Sequence, residues 1–252
     1  MSSIVLPDSK IENIEMVIFD KDGTLIDVHY YWCSMIEFRA NFIVQTIDVE
    51  NKIKLHDELV DNMGVDLKLM KMKPEGPVGI RPRGYIVEVV LSIVKKYDGK
   101  YTKLMVEDAF NKVDELSKAK FNEIIKILPG VDGVIRDLKN HNIRMSIATT
   151  DYSHRAILAM ESLNIDNYFT DIVGSDMVSQ PKPSPDLVNY ILKNNNLSKG
   201  SVVVIGDSMS DLNMAKNSQC NFIGVKSGLY TDKFIKESVN MIESLEKLTL
   251  EY

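Results

Sequence analysis

Two textures of apolar and polar residues alternate along much of the chain. Met16-Val17-Ile18-Phe19 is a short apolar run that ends abruptly in acidic and glycine residues. Such a run predicts a buried parallel strand feeding a loop. The same texture returns over 143–148 and 202–205, and in weaker form at Ile172-Val173 and over 222–225. Helical patterns separate these runs, over 134–139, 155–163, 185–193 and 211–217. Ser184-Pro185 reads as an N-cap followed by proline at the first helical position. Strands alternating with helices predict a parallel sheet covered on both faces.

The segment 28–126 lacks this alternation. Its helix-compatible stretches run over 31–47, 52–63, 83–97 and 102–128. Val106, Ala109, Phe110, Val113 and Leu116 recur at helical spacing and predict a core stripe, with Thr102 placed to cap that helix. The cluster Tyr30-Tyr31-Trp32, with Phe38 and Phe42, reads as core of the same module rather than as a platform for a ligand. A proline- and glycine-rich break over 74–84 divides the segment and carries Arg81 and Arg83. The expected architecture is an α/β domain with a Rossmann-like parallel sheet, built from 1–27 and 127–252, with an all-helical module inserted at 28–126.

Composition narrows the function classes. The 252 residues carry a formal net charge of −6 and a pI near 5.3, which argues against a nucleic-acid-binding surface or a polybasic membrane anchor. The N-terminal segment from Met1 through Pro7 and Asp8 has neither a basic flank nor a long apolar core, so no signal peptide is expected. The most apolar stretch, 85–94, is interrupted by Glu88 and is too short to span a bilayer. Cys33 and Cys220 make no metal-ligand spacing or disulfide framework and read as free thiols in a reducing compartment. A cytoplasmic protein without nucleic-acid or membrane partners is the expectation.

The candidate chemistry lies where the strands end. Open α/β sheets bind ligands beyond the carboxyl ends of their strands. Those ends carry Asp20 and Asp22, then Thr149, then Asp207 and Asp211, and Lys182 sits in the loop Gln180-Pro181-Lys182-Pro183-Ser184. If the strands share one sheet, these groups converge. Gathered carboxylates need a cation, and oxygen ligands without histidine or cysteine clusters select magnesium over zinc. A lysine and a hydroxyl beside that metal would suit a phosphoryl group. Gly23 would let the backbone turn sharply there.

These residues resemble the haloacid dehalogenase-like superfamily. Asp20-Lys21-Asp22-Gly23-Thr24-Leu25 matches its first phosphatase motif, Ser146-Ile147-Ala148-Thr149 its second, Lys182-Pro183-Ser184-Pro185 its third, and Gly206-Asp207-Ser208-Met209-Ser210-Asp211 its fourth. The resemblance implies a magnesium-dependent phosphatase of the phosphoglycolate phosphatase-like group, acting on a small phosphorylated metabolite. By that likeness Asp20 would be the nucleophile and Asp22 the general acid and base. Thr149 and Lys182 would hold the phosphoryl oxygens, with Thr150 close by. Magnesium would be bound by the Asp20 carboxylate, the Asp22 backbone carbonyl and the Asp207 carboxylate, and Asp211 would orient Lys182 or a metal-bound water. The inserted helices would be the family's cap. Arg81 and Arg83 read equally well as a clamp for a second anionic group of the substrate and as a solvated loop.

Branches of the superfamily differ at the first motif. Asp22 argues against the dehalogenase and phosphonate-cleaving branches, and Thr24 stands where the sugar-phosphate mutases tend to have valine. A mutase and a non-enzymatic phospho-accepting signalling domain remain the alternatives; steady multiple-turnover release of phosphate separates them from a phosphatase.

Overall fold

The computed structural model describes residues 2–6, 9–79, 81–229 and 231–251; Met1, Pro7 and Asp8 of the N-terminal segment and Ile80 of the 74–84 break lie outside them. The described chain divides into two compact units, one made of 1–27 and 126–252, the other of 28–125.

The first unit opens with β1 (Ser3–Leu6), β2 (Ser9–Ile11) and β3 (Met16–Phe19). The second unit follows, with α1 (Val28–Thr46), α2 (Lys52–Met63), β4 (Val65–Asp66), β5 (Lys71–Met72), α3 (Arg83–Tyr97), α4 (Lys103–Ala119) and α5 (Phe121–Ile124). The chain then returns to the first unit with α6 (Val131–Asn140), β6 (Arg144–Ala148), α7 (Ser153–Ser162), β7 (Asp171–Val173), α8 (Asp186–Asn195), β8 (Val202–Gly206), α9 (Met209–Ser218), β9 (Asn221–Val225), α10 (Asp232–Glu237), β10 (Met241–Ile242) and β11 (Thr249–Glu251).

Among the described residues the main sheet has the order β10-β9-β8-β3-β6-β7, every pair parallel. Its central strands are apolar and β-branched because both faces are covered. Every residue of β3 and β8 is buried. On one face Met16, Ile18, Val202 and Val204 pack with Leu187, Val188 and Ile191 of α8 and Met214 and Ala215 of α9. The expected α/β architecture is therefore present. The sequence pattern gave no hint of a second sheet, in which β1 pairs antiparallel with both β2 and β11, Ser3 standing opposite Glu251. These short strands carry too few residues for a period-2 pattern to stand out.

The 28–125 unit is mostly, but not wholly, helical. The expectation of an all-helical module is corrected by the hairpin of β4 and β5. Gly64 ends α2 in the left-handed region at φ +94°, its N–H donating to Val60 O and Asp61 O. The chain then turns through Asp66, whose Oδ1 accepts from Lys68 and Leu69 N–H. Thr102 caps α4 through the Met105 N–H at 3.3 Å. Val106, Ala109, Phe110 and Val113 are buried, whereas Leu116 is 59% exposed. The buried face continues through Ser117, four residues after Val113, so Leu116 rotates off it. Tyr30, Tyr31, Trp32, Phe38 and Phe42 are only partly buried. In the first unit Pro185 takes the N-cap position and α8 begins at Asp186, one residue later than expected. Ser184 Oγ donates to Asp186 Oδ1 at 2.7 Å and accepts from the Asp186 N–H at 3.4 Å.

Candidate active site

Strands β3, β6 and β8 pair in register, with Phe19 opposite both Ile147 and Ile205. The residues just beyond them therefore reach one rim, Asp20 after β3, Thr149 after β6 and Asp207 after β8. The Asp20 N–H donates to Ile205 O at 2.8 Å and the Thr149 N–H to Val173 O at 3.0 Å. All three residues are buried.

Lys182 arrives from the loop between β7 and α8. That loop is tied down by the Ser184 N–H to Pro181 O at 3.0 Å and by the Asn217 side chain of α9 to Pro183 O at 2.9 Å. The Lys182 ammonium donates to Asp20 Oδ1 at 2.5 Å and to Asp211 Oδ1 at 2.6 Å, with 2% of its side chain exposed. The other oxygen of Asp211 accepts from Ser208, the N–H at 3.2 Å and the hydroxyl at 2.5 Å. These bonds belong to a capping box at the start of α9. Asp211 thus anchors the helix and aims the lysine through the same carboxylate.

Asp20, Asp207 and Asp211 each place a carboxylate oxygen within 4.8 Å of the others. Fully ionised, three buried carboxylates beside one ammonium would carry two uncompensated negative charges. Burial pushes the Asp20 carboxyl up to about 7; Lys182 opposes the rise, while Asp211 and Asp22 add to it. Burial, reinforced by Asp20 and Asp211, raises the Asp207 carboxyl well above its ordinary value. Burial alone would lower the Lys182 ammonium, but Asp20 and Asp211 outweigh it and its pKa is raised. Hard oxygen donors with an excess of two negative charges fit a divalent cation such as magnesium.

Space around Asp207 is set by glycines. A Cβ on Gly23, whose φ is +85°, would stand 2.4 Å from Asp207 Oδ2, and one on Gly228 would stand 1.7 Å from it. The Leu229 N–H donates to the same oxygen at 3.1 Å, and the Ser227 hydroxyl donates to Gly23 O at 2.6 Å. The loop 227–229 therefore clasps both the first motif and Asp207.

The remaining candidates are placed differently. Asp22 lies outside the carboxylate cluster; its oxygens lie 2.8 Å from the ammonium of Lys21 and its side chain is 39% exposed. Thr149 Oγ1 accepts from the Asp151 N–H at 3.1 Å, and Thr150 is exposed beside it. Arg81 and Arg83 belong to the other unit. The Arg81 guanidinium is 5.8 Å from the Tyr85 ring centre. Arg83 is the first residue of α3 rather than part of a loop, and its guanidinium donates to Asp114 and to Asn111 Oδ1. Buried Arg39 shares the Asp114 carboxylate, at 3.0 Å. Arg83 is thus engaged in joining α3 to α4. Sequence reasoning overlooked Lys21, Ser208 and the loop 227–229. The available signals were a lysine between two motif aspartates and a Ser-Gly pair just past a strand.

Comparisons with known proteins bear on the family and the fold. The family of haloacid dehalogenase-like hydrolases matches residues 87–225, more than half of the chain. A phosphorylated carbohydrates phosphatase of Thermotoga maritima is 30% identical over 134 residues, covering 53% of this chain and 62% of that protein. The chain therefore matches less than two thirds of that relative's length. A phosphoglycolate phosphatase of Pseudomonas fluorescens is 26% identical over 239 residues, covering 92% of this chain and 78% of that protein. Among solved structures, a Thermotoga maritima protein provisionally assigned as a β-phosphoglucomutase superposes with a TM-score of 0.67 at 24% identity, over 93% of this chain and 96% of its own. At that identity the likeness speaks for the fold.

Proposed function

The chain belongs to the haloacid dehalogenase-like hydrolases, and from that premise we propose that it is a phosphatase acting on a small phosphorylated metabolite, a phosphosugar or phosphoglycolate, through an aspartyl-phosphate on Asp20. One observation carries this reading: the buried cluster of Asp20, Asp207 and Asp211 around Lys182 at the carboxyl edge of the sheet. It is the donor set that a phosphoryl group and its counter-ion need.

Lys182 holds one Asp20 oxygen and leaves the other to attack phosphorus. As the new O–P bond forms, the bond to the leaving oxygen breaks and Asp22 protonates that oxygen. Asp22 then takes a proton from the water that attacks the phosphorylated Asp20, releasing phosphate and restoring the carboxylate. Lys182 and the Thr149 hydroxyl offer donors to the equatorial oxygens of the transferring group. Magnesium would be held by the Asp20 and Asp207 carboxylates and the Asp22 backbone carbonyl; when bound it would neutralise the repulsion between a carboxylate and a phosphate dianion.

The test is phosphate release from a panel of phosphorylated sugars and short acids, with magnesium and with a chelator. Steady release that needs the cation and vanishes in Asp20→Asn, without loss of fold, is expected. Full activity in Asp20→Asn or in the chelator would sink the reading. Isomerisation of a sugar phosphate without net phosphate release would favour a mutase. The free state of both cysteines, and the lack among the described residues of any helix long and apolar enough to cross a membrane, are compatible with the cytoplasmic location proposed here.

A further inference from the structure

Lys21 occupies the slot between the two aspartates of the first motif, where its charge has no place in the reaction just outlined. Its side chain is nevertheless only 6% exposed. Its ammonium lies 2.8 Å from the Asp22 carboxylate and 3.3 Å from Asp151 Oδ2. Asp151 is itself held, with Oδ1 accepting from the Tyr152 N–H at 2.9 Å and pairing with Arg155 Nε at 3.2 Å, while its own N–H bonds Thr149 Oγ1 at 3.1 Å. One buried lysine therefore ties the loop after β3 to the loop after β6. Enclosing an ammonium costs free energy unless it is paired, so its two carboxylate partners define where it can sit.

We infer that Lys21 is a positioning residue for Asp22, using Asp151 as an anchor to fix the direction from which the Asp22 carboxyl meets the leaving-group oxygen. This inference rests on the phosphatase reading, in which Asp22 has a proton to deliver. When the P–O bond breaks, Asp22 gives its proton to the departing oxygen. A carboxyl free to swing loses that transfer most where the leaving oxygen is strongly basic and needs the proton early. A lysine that merely fills space or stabilises the loop would lower activity alike for every leaving group.

The experiment compares kcat/KM for phenyl phosphate and p-nitrophenyl phosphate, esters of similar shape whose leaving oxygens differ in basicity. In Lys21→Met the loss on phenyl phosphate should exceed the loss on p-nitrophenyl phosphate by about tenfold or more, the same skew expected of Asp22→Asn. Lys21→Arg, which keeps a donor able to reach both carboxylates, should hold the ratio within about threefold of the wild type. Asp151→Asn should skew it in the direction of Lys21→Met, so the question stays answerable if Lys21→Met does not fold. Equal loss on both esters in the variants that fold would overturn this inference alone. Failure of the wild-type protein to release phosphate from these esters and from the panel of phosphorylated sugars and short acids would overturn the phosphatase reading and this inference with it.

Discussion

Lys182 is bound to two carboxylates, and removing it has two separable consequences. Lys182→Ala should lower kcat by about a hundredfold or more, the scale of losing one charged contact to the transition state. It should also destabilise the metal-free protein, because Asp20 and Asp211 are left buried without their counter-charge. Added magnesium should restore part of the melting temperature but not the rate; a kcat within about tenfold of wild type would exclude Lys182 from the chemistry. Asp20 makes a pH prediction of definite sign. Its carboxyl, raised to about 7 from 3.8, holds a proton more tightly folded than unfolded. Its contribution to stability is therefore present below about pH 4 and is lost as the pH rises toward about 7. Lys182, whose pKa is also raised, acts with the same sign at higher pH: its contribution is present below the ordinary lysine range and is lost as the pH rises beyond it. Because metal binds the deprotonated carboxylates, the rise in Tm on adding magnesium should be larger near pH 8 than near pH 5. Equal rises at both, read by thermal unfolding, would count against the cluster as the cation site.

Among elements, the loop 227–229 makes the most testable demand. A methyl on Gly228 would fall 1.7 Å from Asp207 Oδ2, so backbone or carboxylate must shift. Gly228→Ala should weaken magnesium binding by about tenfold or more while leaving the secondary structure unchanged; calorimetric titration with magnesium reads this directly, and an unaltered affinity would dismiss the loop as a constraint on Asp207. The Ser-Gly pair marks a turn but not its partner, because the Asp207 carboxylate that accepts from the Leu229 N–H lies 22 positions earlier and is met only once β9 pairs with β8. Legibility elsewhere follows the same physics. Strands β3 and β8 are readable because burial on both faces makes them continuous apolar runs ending in charge. The strand ends Asp20, Thr149 and Asp207 could then be placed together from sheet topology alone. The β4–β5 hairpin was hidden because it depends on Gly64 and on the side-chain bonds of Asp66, not on a hydrophobic period. Leu116 was misjudged for a related reason: composition gives a residue's type, but packing decides which way it faces.

For the whole molecule, the unit that carries the carboxylate cluster is assembled from two stretches of chain, 1–27 and 126–252, while the unit of 28–125 is continuous. Of the strands in the main sheet β3 is made first, yet it stands in the middle, between β6 and β8. Both neighbours are encoded more than a hundred residues later. As the ribosome extends the chain, β3 therefore has no neighbour in the main sheet until β6 has been synthesised, and lacks the second until β8 has. Domains generally fold as units during synthesis, earliest-completed first. Nascent chains halted near residue 160 should already contain a protease-resistant fragment from 28–125, while the segment around Asp20 is still cut. Resistance of that segment before β8 is exposed would contradict this order. The first of the four motifs to be translated would then be among the last to acquire its surroundings, so a message broken between the end of the 28–125 unit and the fourth motif would yield that unit without the assembled carboxylate cluster.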